Sequence, residues 1–275
     1  MLLEEKVAVV YGGGGSVGAA VARAFVEEGA HVFLTGSRRD AVEAVADAIR
    51  AGAGAEGDDG ADAAAGAVEA AEVDGFDERA IDRHLDHVVE RAGRVDISFN
   101  AVGIPDADVV GVPLVDLDVD RFLRPIEAYA RTTFLTSRLA ARRMVGAGSG
   151  VILRVTALHS RTGIPLVGGY GPAMAAMESL TRSLSAELAP RGIRVVGLRP
   201  QAMPESSTIR EAYEPRAAAS GLTWAEWEQA LAARTHPRRL MTLREFADVA
   251  AFVASDRASG LTGTTVNLTM GSLDD

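Results

Sequence analysis

The sequence contains no cysteine, which excludes disulfides, a thiolate nucleophile and a cysteine-based metal site. It also lacks an apolar run of the roughly 18 residues that a membrane-spanning helix requires. Lysine is nearly absent, because Lys6 is the only one among 28 basic residues, and 38 acidic residues give a net charge of -10. A nucleic-acid partner needs clustered positive charge, so this balance argues against one.

Signals for export and for metal binding are missing as well. Residues 1–10 form a short polar lead into an apolar strand, without a basic region or a small-residue cleavage site. We therefore expect a cytoplasmic protein without a secretory signal and without a membrane partner. The 5 histidines are scattered and show no spacing typical of a metal site.

Apolar strand patterns and amphipathic helix patterns alternate along nearly the whole chain. This alternation predicts an α/β fold, a doubly wound parallel seven-stranded sheet with helices on both faces, formed by residues 1–275 as a single domain. Residues 51–70 are almost entirely Ala, Gly, Asp and Glu, which predicts a flexible surface insertion that partly frays into helix. Residues 204–240 are predicted to form a small helical lid over a substrate. The strands are expected at 6–10, 31–35, 70–73, 95–100, 150–156, 193–199 and 264–268.

A glycine-rich stretch, residues 12–18 (Gly-Gly-Gly-Gly-Ser-Val-Gly), lies between the first predicted strand and the first predicted helix. Glycines let the backbone approach a pyrophosphate, and a helix N-terminus supplies free N–H groups and the positive end of the helix dipole. The strand–turn–helix context therefore favours a dinucleotide site of the Rossmann type.

Four further segments carry motifs that go with this turn. They are residues 96–103 (Asp-Ile-Ser-Phe-Asn-Ala-Val-Gly), the pair Asp74-Gly75, and residues 183–195 and 255–263. Together with the turn, they resemble the short-chain dehydrogenase/reductase family over nearly the whole chain. The resemblance implies a nicotinamide dinucleotide held by Gly12, Gly15, Ser16, Val17, Gly18, Ser37, Arg38, Asp74, Gly75, Asn100, Ala101 and Gly103.

The residues around the turn also differ from that family. Tyr11 stands where threonine is usual, and Ser16 stands where the middle glycine of the Gly-x-x-x-Gly-x-Gly pattern is usual. Residues 36–39 (Gly-Ser-Arg-Arg) carry no acid to hold a ribose 2′-hydroxyl, whereas Arg38 suits a 2′-phosphate. We therefore expect NADP (NADPH) rather than NAD. The alternatives are that both arginines of this segment face solvent, or that no cofactor is bound.

The family's catalytic tetrad of Asn, Ser, Tyr and Lys is matched here only at Tyr170. By the family's spacing, the lysine position holds Met174, the serine position Ala157 and the asparagine position Tyr129. A tyrosine without a neighbouring lysine titrates near pH 10, so forming its phenolate at neutral pH costs about 4 kcal/mol. Any redox activity is therefore expected to favour carbonyl reduction, in which Tyr170 donates a proton.

Two more polar residues are candidates for catalysis beside Tyr170. His159 and Ser160 follow Ala157 on the predicted loop after the fifth strand, and the resemblance implies that this loop lines the substrate space. Histidine titrates in the range that acid–base catalysis requires. The alternative for His159 is a surface loop position without a role.

Two other histidines and both tryptophans are expected to have structural positions without a catalytic role. His84 and His87 share one face of a predicted helix and are expected to meet solvent. Trp224 and Trp227 lie three residues apart on one face of a predicted lid helix. They are expected either to pack the lid onto the body or to cover an apolar substrate.

Three functions remain open on the sequence alone. The first is an NADP-dependent carbonyl reductase of a small metabolite, which uses Tyr170 alone or with His159. The second is a non-redox enzyme of the same fold, such as a cyclase, dehydratase or isomerase of bacterial metabolite biosynthesis. The third is a non-catalytic subunit or nucleotide sensor, because fold alone does not determine function.

The resemblance also implies self-association through the predicted helices that begin near Asp120 and Tyr170. Ala173, Ala175 and Ala176 are small enough for close helix contact. We therefore expect a homodimer or homotetramer, with a hetero-oligomer formed with an active relative as the alternative.

Overall fold

Seven parallel strands form one sheet in the computed structural model of this chain, which describes residues 1–55, 66–104 and 108–274. Their order across the sheet is β3-β2-β1-β4-β5-β6-β7, and every neighbouring pair is parallel. The strand order reverses between β1 and β4, which is where ligands bind in folds of this type. The strands are β1 (Val7–Tyr11), β2 (His31–Gly36), β3 (Val68–Glu72), β4 (Ile97–Asn100), β5 (Gly150–Val155), β6 (Ile193–Pro200) and β7 (Thr264–Leu268).

Eight α-helices are found in the described part of the chain. Three of them pack on one face of the sheet, three pack on the other, and two lie outside these layers. None of the described helices is both long and apolar enough to cross a bilayer. The first face carries α1 (Ser16–Glu27), α2 (Arg39–Ala55) and α8 (Leu243–Ala254), the second carries α3 (Glu78–Ala92), α4 (Val119–Met144) and α5 (Tyr170–Leu188), and the outer pair is α6 (Ser207–Ala219) and α7 (Trp224–Ala232).

Strand β1 shows why both faces of the sheet are apolar. Ala8 and Val10 pack into the core under α1 and α8, whereas Val9 and Tyr11 pack into the core under α3 and α4. Successive side chains of a strand point to opposite faces, so a strand covered on both sides must be apolar throughout. The doubly wound α/β fold predicted from the sequence is confirmed.

The predicted insertion at 51–70 is shorter than expected. Residues 51–55 continue α2, residues 56–65 lie outside the described part, and β3 begins at Val68 rather than at 70. Val68 pairs in register with Val32 of β2, so its apolar side chain joins the sheet. The flexibility predicted for the insertion stays a prediction.

Two helices, α6 and α7, occupy most of the predicted lid at 204–240. Helix α7 begins with a capping box in which Thr223 Oγ1 accepts from the backbone N–H of Glu226 and the Glu226 carboxylate accepts from the N–H of Thr223. This Thr-x-x-Glu pattern satisfies two N–H groups at the helix start. We refer to α6 and α7 as the lid.

His84 is buried, and the expectation that it meets solvent is wrong. Ile81, His84, Leu85 and Val88 form the buried stripe of α3, at the spacing of one helical face. Both ring nitrogens of His84 lack a hydrogen-bond partner within the described structure, and the ring lies edge-on to Phe33. Burial, with a smaller contribution from the charge of His87, lowers the pKa of His84 to about 4.

The buried His84 should make the folded chain sensitive to acid. Its pKa is about 4 when folded and about 6.5 when exposed, so between these values the unfolded chain binds the extra proton. Its stabilising contribution is present above about pH 6.5 and is lost as the pH falls through the folded pKa. From pH 7 to pH 5 we expect His84 alone to cost about 2 kcal/mol of unfolding free energy.

Urea unfolding at pH 7 and pH 5 measures this effect in the parent chain, in His84→Leu and in His87→Leu. His84→Leu should lose less stability on acidification than the parent. His87 is exposed on the same helix, so its replacement should leave most of the acid sensitivity in place. Equal acid sensitivity in the parent and His84→Leu would show that His84 is not the titrating group.

Candidate functional site

The glycine-rich turn connects β1 to α1, as predicted. Gly12 has a φ of 75°, and a Cβ atom there would lie 2.5 Å from the carbonyl oxygen of Ala101. A Cβ atom on Gly18 would lie 2.4 Å from the carbonyl oxygen of Gly12. Only glycine fits at either position. Gly15 is the N-cap of α1 and has no side chain, so it leaves the N–H groups of the first turn open to an anion.

A cavity of about 490 Å³ lies beside this turn, and we call it the switch-point cavity. Residues at the carboxyl ends of β1, β2, β4 and β5 line it, which is where this sheet topology places ligands. All twelve residues predicted to hold a dinucleotide lie in its lining: Gly12, Gly15, Ser16, Val17, Gly18, Ser37, Arg38, Asp74, Gly75, Asn100, Ala101 and Gly103.

The two arginines after β2 have different surroundings. Arg39 forms an ion pair with Glu43, at 2.9 Å, and lies 3.9 Å from Glu72. Arg38 lines the switch-point cavity and has no ion-pair partner among the described residues. The charge of Arg38 is therefore available to a ligand, whereas that of Arg39 is already balanced.

Asn100 shapes the backbone of the cavity. Its Nδ2 donates to Thr136 Oγ1 at 2.9 Å, and its Oδ1 accepts from the N–H of Val102 at 2.9 Å. Asp74 accepts in the same manner from the N–H of Phe76 at 2.9 Å. These bonds hold the chain after β4 and after β3 in the conformations that border the cavity.

Ser16, which replaces a glycine of the family pattern, connects the turn to the lid. Its Oγ accepts from the N–H of Ser207, the first residue of α6, at 3.2 Å, and lies 3.4 Å from Ser207 Oγ. A glycine has no group that could make these contacts. The substitution thus ties the N-terminus of the lid to the glycine-rich turn.

A second cavity, of about 360 Å³, lies under the lid, and we call it the lid cavity. Ile209 and Tyr213 of α6 and Trp227 and Leu231 of α7 contribute to its mostly apolar lining. Six residues line both cavities, so the two spaces adjoin there. These residues are Tyr129, Ala157, Tyr170, Pro200, Gln201 and Ile209.

Tyr170 lies at this junction, as the first residue of α5. Gly168 has a φ of 53°, and a Cβ atom on Gly169 would lie 2.0 Å from the carbonyl oxygen of Phe122, so these glycines bring the start of α5 against α4. The Tyr170 ring stands edge-on to Tyr129, at 5.7 Å between centroids, and to His159, at 5.0 Å. Packing on two sides fixes the direction of the phenol.

The three substituted tetrad positions surround Tyr170. Ala157, Met174 and Tyr129 all line the switch-point cavity, and Met174 is 1% exposed. An alanine and a methionine donate no hydrogen bond and carry no charge. Tyr170 and Tyr129 are therefore the proton donors among these four residues, and both line the switch-point cavity.

His159 is buried in the lining of the lid cavity. Its Nε2 lies 3.1 Å from the hydroxyl of Tyr213 on α6, and the Tyr213 ring lies 6.3 Å from that of Trp227. The histidine therefore connects the loop after β5 to the lid. Trp227 contributes to the cavity lining, whereas Trp224 lies beside the guanidinium of Arg210.

Ser160, the third catalytic candidate, is not brought to this site. It lines neither cavity, and its Oγ donates to Glu178 Oε1 at 2.6 Å. Glu178 also forms a bidentate ion pair with Arg199, at 2.8 and 2.9 Å. Both partners of the ion pair are at least 95% buried. Ser160 thus supports a buried charge cluster behind the His159 loop.

The charge cluster contains a second arginine. Arg154 of β5 is 1% exposed and donates to the carbonyl oxygen of Met177 at 3.0 Å. Burial lowers the pKa of Arg154 to about 9, and Glu178 partly offsets this. Burial also raises the pKa of Glu178, but hydrogen bonds from Arg199 and Ser160 outweigh burial and hold it below its usual value.

Sequence reasoning missed Tyr213, Gln201 and Arg234, which all line the lid cavity. Tyr213 meets His159 across 54 positions of sequence, and no local pattern sets that distance. One signal was available for Tyr213. Tyr129, Tyr170 and Tyr213 are three of only 4 tyrosines in the chain, and all three lie in the predicted site or lid segments.

Comparisons with known proteins agree with this geometry. A family model described as enoyl-(acyl carrier protein) reductase matches residues 13–272. The chain is 32% identical to cis-4-hydroxycyclohexanecarboxylate dehydrogenase of Sinomonas cyclohexanicum over 94% of this chain and 93% of that protein. Solved structures are similar over nearly the full chain. NAD+-bound xylitol dehydrogenase has a TM-score of 0.84 at 25% identity, covering 97% of this chain and 98% of that one. A putative gluconate 5-dehydrogenase from Beutenbergia cavernae, with bound NADP, has a TM-score of 0.81 at 27% identity, covering 98% and 97%.

The sheet order, the turn and the switch-point cavity define a Rossmann-type protein whose cavity has the features of a dinucleotide site. With a family model matching most of its length, the chain belongs to the short-chain dehydrogenase/reductase family of oxidoreductases.

Proposed function

We propose that this chain is an NADP(H)-dependent reductase of a carbonyl group on a small apolar metabolite, with Tyr170 as the proton donor. The position of Tyr170 carries the proposal, because it lines both the switch-point cavity and the lid cavity. A group at that junction can reach a cofactor on one side and a substrate on the other.

The residues of the switch-point cavity fit a dinucleotide. The close approach of Gly12 to Ala101 and the uncapped start of α1 suit a pyrophosphate, and Arg38 suits a 2′-phosphate. A bound NADPH would supply the hydride for reduction. The chain itself would position the nicotinamide beside Tyr170, exclude water with the lid and deliver one proton from the Tyr170 hydroxyl to the substrate oxygen.

Reduction is the favoured direction because of the groups that surround Tyr170. Oxidation of an alcohol requires the phenolate, and neither Met174 nor Ala157 supplies a charge or a donor that would stabilise it. Donation from the neutral phenol requires no such help. The test is NADPH consumption with a panel of cyclic and acyclic ketones, since the relative from Sinomonas is named for a cyclic hydroxy acid. Turnover of the ketones without measurable oxidation of the matching alcohols at pH 7 is the expected result.

The cofactor preference depends on Arg38. We expect NADPH to bind at least about ten-fold more tightly than NADH, a difference of about 1.4 kcal/mol that one charge-assisted contact to a 2′-phosphate supplies. Arg38→Ala should remove this preference without weakening NADH binding. Arg39→Ala is the matched control, because Arg39 is already paired with Glu43.

Fluorescence titration measures the affinities of NADPH and NADH for the parent chain and for both variants. Equal affinities of the parent for NADPH and NADH would remove the proposed role of Arg38. Failure of both nucleotides to bind would overturn the reductase proposal itself.

A second candidate function is non-redox acid–base chemistry. The observation that favours it is the contact of His159 with both Tyr213 and Tyr170, which places two phenols and one imidazole in one lining. Imidazole and phenol can donate and accept protons without a nicotinamide. The turnover of Tyr170→Phe compared with that of His159→Ala separates the two functions.

We also propose self-association through α4 and α5. Val119, Leu123 and Phe134 are exposed apolar residues on α4, and their spacing places them on one side of the helix. Ala175 and Ala176 of α5 are exposed, but Ala173 is buried within the chain, so the expectation that it contacts a partner is wrong.

We expect light scattering to give a dimer or tetramer, and Phe134→Glu to shift the assembly toward monomer. A monomeric parent at micromolar concentration contradicts this.

A further inference from the structure

We propose that the lid cavity binds a substrate that carries a carboxylate, and that Arg234 binds this carboxylate at the end of the cavity away from the switch-point cavity. This inference rests on the proposed function, because it assigns the substrate class of the same site. It adds a specificity-determining residue and an anion subsite that the reductase chemistry itself does not require.

The charge of the lid cavity is the first observation. Arg234 is the only formally charged residue in its described lining, which otherwise consists of apolar side chains and neutral polar groups. No ion-pair partner of Arg234 is found among the described residues, although the chain carries more acids than bases. Arg234 is exposed to solvent, so water solvates its charge in the free chain, and a guanidinium at the edge of an apolar space favours a ligand with one negative charge and an apolar body.

Ser272 provides a second donor in the same lining. Its Oγ is buried and has no hydrogen-bond partner within the described structure. The backbone N–H of His236 donates to the carbonyl oxygen of Met270 at 2.9 Å, two residues from Arg234 and two from Ser272. This bond holds the segment after α7 against the segment after β7, so the backbones of Arg234 and Ser272 lie in neighbouring segments of the lining.

The two cavities place the reacting carbonyl and the carboxylate of the substrate in different spaces. Tyr170 lines both cavities, whereas Arg234 and Ser272 line the lid cavity alone. The carbonyl that Tyr170 protonates must lie at the junction, and the carboxylate must lie in the part of the lid cavity that Arg234 lines, outside the switch-point cavity. Ile164, Val167 and Leu231 contribute apolar surface to the lining. The substrate class is therefore an oxo acid, or the matching hydroxy acid, with an apolar body.

A carboxylate fits this subsite better than a phosphate ester. One guanidinium and one hydroxyl match a singly charged, planar group. A phosphate ester brings nearly two charges at neutral pH, and only one balancing charge is present in the described lining.

The experiment measures binding without cofactor and without turnover. The probes are 4-oxocyclohexanecarboxylate and 4-oxocyclohexanecarboxamide, which differ in charge and hardly in size. Trp227 lines the lid cavity, so its fluorescence reports their binding. We expect the parent chain to bind the carboxylate about ten-fold more tightly than the carboxamide.

Three variants locate the effect. Arg234→Gln should make the two affinities similar, because it weakens binding of the carboxylate probe and not of the carboxamide probe. Arg234→Lys should recover part of the difference, because lysine restores the charge but not the planar, bidentate geometry of the guanidinium. Arg257→Gln removes the same charge from an exposed position that lines neither cavity, and it should leave the parent ratio unchanged.

Equal binding of both probes by the parent, no saturable binding of the carboxylate, or an unchanged ratio in Arg234→Gln overturns the inference. Displacement of the carboxylate by an equal concentration of inorganic phosphate overturns the carboxylate assignment. NADPH consumption with the same two ketones separates this inference from the proposed function. If the carboxylate binds more tightly but neither ketone is reduced, the anion subsite is supported and the reductase proposal is contradicted. If both ketones are reduced equally well, the reductase proposal is supported and the anion subsite is contradicted.

Discussion

Glu178→Ala is expected to destabilise the folded chain by about 3–5 kcal/mol, because it removes the buried carboxylate that balances the charge of Arg199. Arg199 is 3% exposed and relies on Glu178 for two charge-assisted hydrogen bonds. Arg154 is 1% exposed and would lose its favourable interaction with the same carboxylate. Removing one acid therefore leaves two buried guanidinium groups in an interior that solvates them poorly.

Chemical denaturation of four chains tests this expectation. Glu187→Ala, at an exposed position of the same helix, is the matched control and should change the unfolding free energy by less than about 0.5 kcal/mol. The double variant Glu178→Met with Arg199→Met should be less destabilised than Glu178→Ala, because it removes both charges together. If Glu178→Ala and Glu187→Ala unfold alike, the buried pair does not carry the stability assigned to it.

The Glu178 cluster also matters for the candidate site. It joins β6, through Arg199, to α5 and to the turn after β5, through Ser160. That turn carries His159, and α5 begins with Tyr170. The cluster thus fixes the relative positions of the two elements that present these side chains, and a loss of activity in Glu178 variants is expected to accompany the loss of stability.

Most of the fold was predictable from the sequence because its determinants are local or periodic. The strand–turn–helix unit at residues 7–27 requires glycine at fixed positions, and the clash distances at Gly12 and Gly18 show why. The apolar strands and helix stripes predicted the layers of the sheet. The boundary of β3 was missed because its residues, Val-Glu-Ala-Ala-Glu, give a weak strand pattern that pairing with β2 overrides.

Which residues line the switch-point cavity was predictable where the family pattern fixes a residue. The prediction missed lining residues whose positions depend on tertiary contacts. Lining positions such as Gly12, Arg38 and Asn100 follow motifs in a fixed order along the chain. Ser160 follows no such motif, and its neighbour in space, Glu178, decides where its hydroxyl points. The contact of Tyr213 with His159 and the position of Arg234 in the lid cavity depend on how α6 and α7 pack beside that cavity, and no local pattern in the sequence sets this packing.

Tyr170→Phe is expected to lower kcat/KM for NADPH-dependent ketone reduction by about 10²–10³-fold, the cost of losing one donor to the developing oxyanion. Phenylalanine keeps the ring that packs on Tyr129 and His159, so NADPH affinity and stability should change little. Ala157 and Met174 donate no hydrogen bond, so of the residues at the other pattern positions only the Tyr129 phenol could take over part of the lost hydroxyl's role. Stopped-flow measurement of NADPH consumption, together with the NADPH titration, separates chemistry from binding.

Variants of His159 test whether Tyr170, and not His159, is the proton donor. His159→Ala is expected to cost about ten-fold or less, because in the reductase His159 supports Tyr170 and the lid and does not deliver the proton itself. Tyr213→Phe removes the hydroxyl that contacts His159 and keeps the ring beside Trp227, so it should reproduce part of that smaller loss. A large loss in His159→Ala with a small one in Tyr170→Phe would reverse the roles and favour non-redox acid–base chemistry. Unchanged turnover in the double variant Tyr170→Phe with His159→Ala would place the chemistry outside the junction of the two cavities.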